Sequence, residues 1–282
     1  MPAFGELSGK VGVVTGGASG IGKGIAQALI AQGMQVVIAD VEPGALERTA
    51  AEIGAVPVRT DVSKWEEVQA LAETVKQRFG TAHVVCNNAG VGAMAKISKM
   101  SVADWRWIVE VNLFGVIHGV TAFLPMLKAN PDGGYIVNTA STSGLRATPG
   151  LGGYATTKYG VVALSESLAE ELAQAGSGVG VTVLCPGPVH SNIKASSRNR
   201  PEALPVGGLL DVDLEQTDFG KRMRWMDPRD VGELVVRCMA DGELYALTHP
   251  EMAPEIEDRN RRISEAFARA AKMFGQPGRA GS

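Results

Sequence analysis

Val11-Gly-Val-Val-Thr15-Gly16-Gly17-Ala18-Ser19-Gly20-Ile21-Gly22 decides how this chain folds. Residues 11–15 form the unbroken apolar run of a strand buried on both faces, and helical spacing starts at Ile21 without a linker. Between them the glycines permit a sharp turn. Its backbone can approach a diphosphate, whose charge meets the N–H groups at a helix N-terminus. The spacing is Thr-Gly-x-x-x-Gly-x-Gly, looser than the strict Gly-x-Gly-x-x-Gly fingerprint. Position therefore carries the reading: this is the first strand-to-helix turn, where doubly wound sheets bind dinucleotides.

Outward from this turn, short runs rich in Val and Ile recur at 35–40, 55–61, 83–86, 135–138 and 179–185. Segments with helical spacing fill the gaps, at 21–32, 43–53, 65–79, 103–128 and 154–174. Such alternation predicts an α/β fold: a single-domain, doubly wound Rossmann-type parallel sheet of about seven strands with helices on both faces. From Ser191 to about Trp225 the pattern stops, and a connection of that length is usually functional or mobile. Then come a helix over 228–239, a last short strand over 243–247 and an amphipathic helix over 254–274 with Ile256, Ile263, Phe267 and Phe274 on one side. The final eight residues, rich in Gly, are expected to be disordered. The expected organisation is a Rossmann-fold domain at 1–250, with a substrate loop or lid at 191–226, and a helical extension and tail at 251–282.

Composition excludes several classes of function. Lys and Arg number 27 against 30 Asp and Glu in 282 residues, a net charge of −3, which argues against a nucleic-acid surface or a polybasic membrane anchor. No stretch is read as approaching the roughly 18 apolar residues of a membrane span, and no export signal opens the chain. Neither nucleic acid nor membrane is an expected partner. Cys86, Cys185 and Cys238 lack Cys-x-x-Cys spacing, so no disulfide framework or zinc site is expected, and a reducing cytoplasm fits best. His83, His118 and His249 show no ligand spacing, and no metal is expected.

Asp40 closes the second strand 18 residues after Gly22, near the roughly 20 expected for the acid that bonds the ribose hydroxyls of NAD. A carboxylate there repels the 2′-phosphate of NADP, and Ser19 and Val41 stand where a compensating base would be sought. NAD is therefore the expected cofactor; the alternative is that Asp40 merely forms a strand-end turn. Tyr154-Ala-Thr-Thr-Lys158 opens a later helix, and a spacing of four puts both side chains on one face. A nearby ammonium favours the phenolate of a group whose ordinary pKa is about 10. The pair could thus take a proton from an alcohol.

Together these motifs resemble the short-chain dehydrogenase/reductase family across residues 8–190, and more loosely to about 250. The resemblance implies cofactor contacts at Gly16, Ser19, Gly20, Ile21 and Gly22, at Asp40, at Asp61 and Val62 beside the adenine, and at Asn88, Ala89 and Gly90 after the fourth strand. Pro186, Gly187, Val189 and Ser191 resemble the segment that covers the nicotinamide, with Ser191 where a Thr commonly stands. Asn112, Ser141, Tyr154 and Lys158 match the catalytic tetrad, Ser141 lying thirteen residues before Tyr154. In that reading Tyr154 is the acid/base and Lys158 tunes it and bonds the nicotinamide ribose. Ser141 bonds the substrate oxygen, and Asn112 holds a water that links Lys158 to solvent. Without that register Ser141 could simply cap a turn.

Ser143, Leu145, Leu151, His190 and Ile193 are the expected substrate contacts, although His190 also reads as a surface loop residue. The implied function is NAD-dependent interconversion of a secondary alcohol and a ketone on a hydrophobic, aromatic or alicyclic skeleton. Benzylic alcohols of lignin-type aryl ethers and hydroxysteroids are both candidates, and a non-catalytic NAD(H)-binding sensor is the alternative of another class. Apolar residues on several faces of the helices at 103–128 and 154–174 suggest a homodimer or homotetramer.

Overall fold

Val11–Thr15 forms β1, and its two neighbours in the sheet are β2 (Gln35–Asp40) and β4 (Val84–Asn87), both parallel to it. With β3 (Val56–Arg59), β5 (Gly134–Thr139), β6 (Val179–Cys185) and β7 (Tyr245–Leu247) they make one sheet in the order β3-β2-β1-β4-β5-β6-β7, every pairing parallel. The order reverses between β1 and β4. At that switch point the connections leave in opposite directions and open a crevice at the carboxyl ends of the strands. The computed structural model describes residues 2–205, 207–218 and 220–275.

Successive residues of a strand point to opposite faces, so the two halves of each apolar run feed two cores. Val13, Val37, Val85 and Ile136 face one side with Leu71, Phe123 and Val161. Those partners come from α3 (Trp65–Phe79), α5 (Gly115–Ala129) and α6 (Gly152–Gln174). Val14, Ile38, Cys86 and Val137 face the other with Ile25, Leu29, Leu46 and Val235. These belong to α1 (Gly20–Ala31), α2 (Pro43–Ile53) and α7 (Pro228–Asp241). All three cysteines are buried free thiols.

Several expected boundaries move, each for a local reason. The strand read over 55–61 stops at Arg59: the Thr60 N–H still reaches the Asp40 carbonyl, but the Asp61 carboxylate folds back onto the Ser63 N–H. The strand read from Glu243 begins at Tyr245, because Gly242 closes α7 in the left-handed region at φ +67° and the Glu243 N–H bonds the Cys238 carbonyl. The helix read over 103–128 is α4 (Val102–Val109), a π-helical turn at Glu110–Phe114, and α5 in one continuous run.

That run, Val102–Ala129, corrects one expectation: it is long and apolar enough by composition to cross a membrane. Its apolarity is spent on the protein instead. Trp107, Ile108, Val116, Phe123 and Leu127 are buried in the cores, and Asn112 is turned fully inward.

The helices α1 and α7 touch backbone to backbone. A Cβ at Gly24 would lie 2.0 Å from the Pro228 carbonyl oxygen, and one at Gly232 would lie 2.3 Å from that of Gly24. Gly24→Ala is therefore expected to force the helices apart and to destabilise the fold by about 1–3 kcal/mol, as overpacking does. A lower urea midpoint with an unchanged slope is the expected reading; an unchanged midpoint would show that the contact yields freely.

Internal contacts divide the chain into two units, Met1–Thr248 and His249–Ser282. The second holds a short turn at Pro250–Met252 and α8 (Ala253–Phe274), whose charged face is laced by Arg261 with Asp258 and Glu265 and by Arg262 with Asp258. Phe267 and Phe274 are exposed on it. The expected disordered tail falls, from 276 onward, outside the described residues.

Candidate active site

The first βα turn is built for close approach. Gly16 and Gly20 sit at φ +65° and +50°, where residues with a side chain are strained. A Cβ at Gly16 would lie 2.8 Å from the Ala89 Cα, and one at Gly22 would lie 2.1 Å from the Gly16 carbonyl oxygen. Thr15 stitches this turn to the end of β4: its hydroxyl accepts from the N–H groups of Asn88 at 2.9 Å and Ala89 at 3.1 Å. The Asn88 side chain in turn donates to the Thr15 carbonyl at 3.1 Å. Ser19 precedes α1 in extended conformation without capping it through its side chain. The first-turn N–H groups, which have no partner within the helix, therefore border the groove at Ser19, Gly20 and Ile21. That is a fit for the diphosphate of a dinucleotide.

Along the same groove lie Asp40, Asp61, Val62, Asn88, Ala89 and Gly90. Asp40 is held by the Ala18 N–H at 3.1 Å and the Glu42 N–H at 3.2 Å, and burial raises its carboxyl above the ordinary 3.8. Its position, beyond the end of β2 and beside the glycine turn, suits a pair of ribose hydroxyls.

At the other end α6 carries Tyr154 and Lys158 into the groove. Lys158 is 2% exposed; its Nζ donates to the Thr139 carbonyl at 2.8 Å and stands 5.6 Å from the Tyr154 ring centroid. Ser141, just beyond β5, hydrogen-bonds Tyr154 through its side chain, donates to the Pro186 carbonyl at 3.3 Å and accepts from the Ser143 N–H at 3.1 Å. Asn112 lies in the π turn, which displaces the backbone pattern locally. Its amide bonds both backbone groups of Val91, at 2.8 and 2.9 Å, and donates to Thr157 Oγ1 at 3.3 Å. No direct bond joins it to Lys158; both approach the same flank of Gly90, where a Cβ would lie 3.2 Å from Asn112 Oδ1 and 3.6 Å from Lys158 Nζ.

The short chain dehydrogenase family model matches residues 10–202. The chain belongs to this family. A short-chain dehydrogenase/reductase from Burkholderia phymatum, solved in complex with NAD, is 39% identical over 93% of this chain and 96% of that one, with a TM-score of 0.87. A CLA biosynthesis dehydrogenase/reductase of Lactiplantibacillus plantarum is 31% identical, covering 92% of this chain and 94% of its own. A C alpha-dehydrogenase of Sphingobium sp. strain SYK-6 is 29% identical, covering 93% and 88%.

In this short-chain dehydrogenase the electrostatics of the pair depart from the simple expectation. Burial dominates both groups: it pushes the Tyr154 phenol up to about 12 against the opposing bond from Ser141, and pulls the Lys158 ammonium down to about 8. Burial thus outweighs the predicted lowering of the phenol by the ammonium. A shared helix face brings the two groups together, but it says nothing of how far water is kept from them.

Not every expected contact borders the dehydrogenase groove. Pro186, Ser191 and Ile193 do. Gly22 lies inside α1, the Gly187 N–H is used by Thr248 Oγ1 at 3.0 Å, and Val189 is a buried bridge partner of Met226; all three back the wall rather than form it. Of the substrate contacts, Leu145 packs on the main core, Leu151 pairs with Ala95, and Ser143 turns its N–H to Ser141. His190 stacks on Trp225 and pairs with Glu215 at 3.0 Å. None of these four borders the groove itself.

The groove is also bordered by Trp107 and Val111 from the long helix, and by Ser196, Arg198, Asn199 and Pro201 from the lid. Trp107 and Val111 fall in the same helical run as Asn112, a signal that one turn of spacing could have supplied. Arg200 fixes the lid to α4. It reaches fully buried Asp104 at 2.7 Å, covers the Trp107 ring at 5.2 Å and donates to the Pro205 carbonyl. Asp104 also accepts from the N–H groups of Ser101 and Gly208. Removing one partner of such a pair usually costs about 3–5 kcal/mol.

Proposed function

We propose that this enzyme is an NAD-dependent oxidoreductase that interconverts a secondary alcohol and a ketone on a hydrophobic substrate. The observation that carries the reading is a single groove bordered at one end by Asp40 and the glycine turn and at the other by Tyr154 and Lys158. Bound in it, a nicotinamide dinucleotide would accept or return a hydride at its nicotinamide ring. Gly16, Ser19, Gly20 and Ile21 would hold its diphosphate; Asp40 its adenosine ribose; Asp61 and Val62 would flank the adenine; Pro186 and Ser191 would cover the nicotinamide. The NAD complex of the Burkholderia phymatum relative supports this choice of cofactor.

Tyr154 Oη takes the proton of the alcohol in oxidation and returns it in reduction. Ser141 shares a hydrogen bond with that phenol, so its hydroxyl is also placed to hold the substrate oxygen and the charge that develops there. Lys158, neutralised near pH 8 by burial, exchanges its proton readily at neutral pH. Asn112 anchors the segment at Val91, next to Gly90, whose flank both Asn112 and the Lys158 ammonium approach.

A substrate carbinol beside Tyr154 would meet Trp107, Val111 and Ile193, an apolar surface with one aromatic ring. A benzylic alcohol fits that lining, and the similarity to a C alpha-dehydrogenase supports it; hydroxysteroids are the alternative of similar polarity. The test is NADH absorbance with NAD or NADP and a panel of aryl, steroid and aliphatic secondary alcohols. Turnover with NAD on one hydrophobic class is expected; NADH binding without turnover on any alcohol would favour a non-catalytic sensor.

The pH dependence follows from the shifts. Oxidation needs the phenolate, and a phenol raised to about 12 is protonated at neutral pH, so the oxidation rate is expected to keep climbing from neutral pH toward about pH 12. Reduction needs the phenol and its proton supply, and should decline above about pH 8 as Lys158 deprotonates. Profiles of kcat in both directions check this; coincident profiles would contradict it.

A further inference from the structure

One ion pair spans the groove. Arg198, in the first part of the lid, donates through Nε at 3.0 Å and Nη2 at 2.7 Å to Oε1 of Glu42, the residue that precedes α2 just past Asp40. Asn199 donates to the same oxygen at 3.0 Å. Glu42 borders the groove on one side, and Arg198, Asn199 and Pro201 on the other. The guanidinium beside Glu42 holds its carboxyl below the ordinary 4.5. Arg198 is itself braced by the carbonyls of Asn192 and Ala195, so its geometry is fixed within the lid before it meets Glu42.

The start of the lid closes the groove at a second point: a Cβ at Gly20 would lie 2.8 Å from the Ser191 Cβ, so the lid rests on the N-terminus of α1. A dinucleotide with its diphosphate on the glycine turn and its ribose at Asp40 would lie next to both points.

The lid's attachments are unequal. On the α4 side it is pinned by Arg200 to Asp104, side chains 12% and 0% exposed, by Gly208 to the same carboxylate, and by the paired backbone bonds of Leu210 with Met94 at 2.9 Å. The Ser196 hydroxyl also accepts from the Gly92 N–H at 2.9 Å. On the Asp40 side it is held by Arg198 and Glu42, 37% and 33% exposed. Exposed pairs are weak and screened by salt, whereas buried ones are not readily broken. The lid therefore opens first at Glu42.

We propose that the contact of Arg198 and Asn199 with Glu42 is a latch over the adenosine half of the groove, and that its opening gates release of the dinucleotide. The proposal rests on the reading of the groove as a dinucleotide site. Arg198 acts as a positioning residue. It holds the lid shut, and the pinned Arg200 side serves as the hinge.

The test is stopped-flow displacement of NADH from the whole protein. Arg198→Ala and Glu42→Gln are each expected to speed dissociation by about three- to tenfold, the scale of a modest ion pair reinforced by a third donor. The swapped pair Arg198→Glu with Glu42→Arg should restore much of the slow rate, which a merely structural defect in either element would not. Added salt should accelerate release more in the wild type than in Arg198→Ala. Unchanged dissociation in both single variants, or fast release that the swap fails to slow, overturns the latch. A wild type that binds no NADH would instead overturn the dinucleotide reading itself.

Discussion

Tyr154→Phe is expected to lower turnover by about 10²- to 10⁴-fold, the range associated with loss of a positioned acid/base. The ring packs with Val91, Trp107 and Ile108, and phenylalanine keeps those contacts, so folding should be little affected. Only the hydroxyl is lost, and with it the group that Ser141 orients. With the dinucleotide held at the glycine turn and Asp40 as proposed, the affinity for NADH should stay within about twofold. Rates near the wild-type value would remove Tyr154 from the chemistry and shift the proton transfer to Ser141 or water. Parallel loss of rate and NADH binding would mean that the residue shapes the groove instead.

Asp40→Asn is expected to lower the preference for NAD over NADP by about 10²- to 10³-fold. The amide keeps the shape of the carboxylate, and its oxygen can still accept from Ala18, so the glycine turn should hold. What disappears is the negative charge that, with the adenosine ribose bound at Asp40 as proposed, would face a 2′-phosphate. Unit charges about 4 Å apart near a protein surface interact by about 4 kcal/mol, and partial solvation reduces this to about 3. Burial raises the Asp40 carboxyl and so trims the effect at low pH, where the wild type should tolerate NADP better. The ratio of kcat/KM for the two cofactors is the measurement. An unchanged ratio would leave discrimination to Glu42 or to the lid.

The parts legible in the sequence are those fixed by short-range rules. An apolar run buried on both faces announces a parallel strand, and glycines at its end announce a close approach; β1, β2 and the turn at Gly16–Gly22 follow from that alone. Tyr154 and Lys158 share a face because four residues make about one helical turn. The lid's contacts are of another kind: Arg198 meets Glu42 across 156 positions, and Arg200 meets Asp104 across 96, separations at which no periodicity operates. Leu145, Leu151 and Ser143 are expected at the substrate because the loop after β5 borders the carboxyl edge of the sheet. That edge does not fix each residue's contacts: Leu145 packs against the core, Leu151 bridges to Ala95 through its backbone, and the Ser143 N–H is taken by the Ser141 hydroxyl. The titration of Tyr154 and Lys158 was illegible for a related reason, since burial is a property of everything packed around a group.

Transfer of a labelled hydrogen tests the central claim most directly. An alcohol from the panel that supports turnover, carrying deuterium on its carbinol carbon, is oxidised with NAD in ordinary water, and the NADH is recovered. The account predicts that one deuterium per turnover resides at C4 of the nicotinamide ring, with no wash-out into solvent, and that Tyr154→Phe slows the transfer without changing where the label goes. Label released to water, or a ketone formed without labelled NADH, would contradict it.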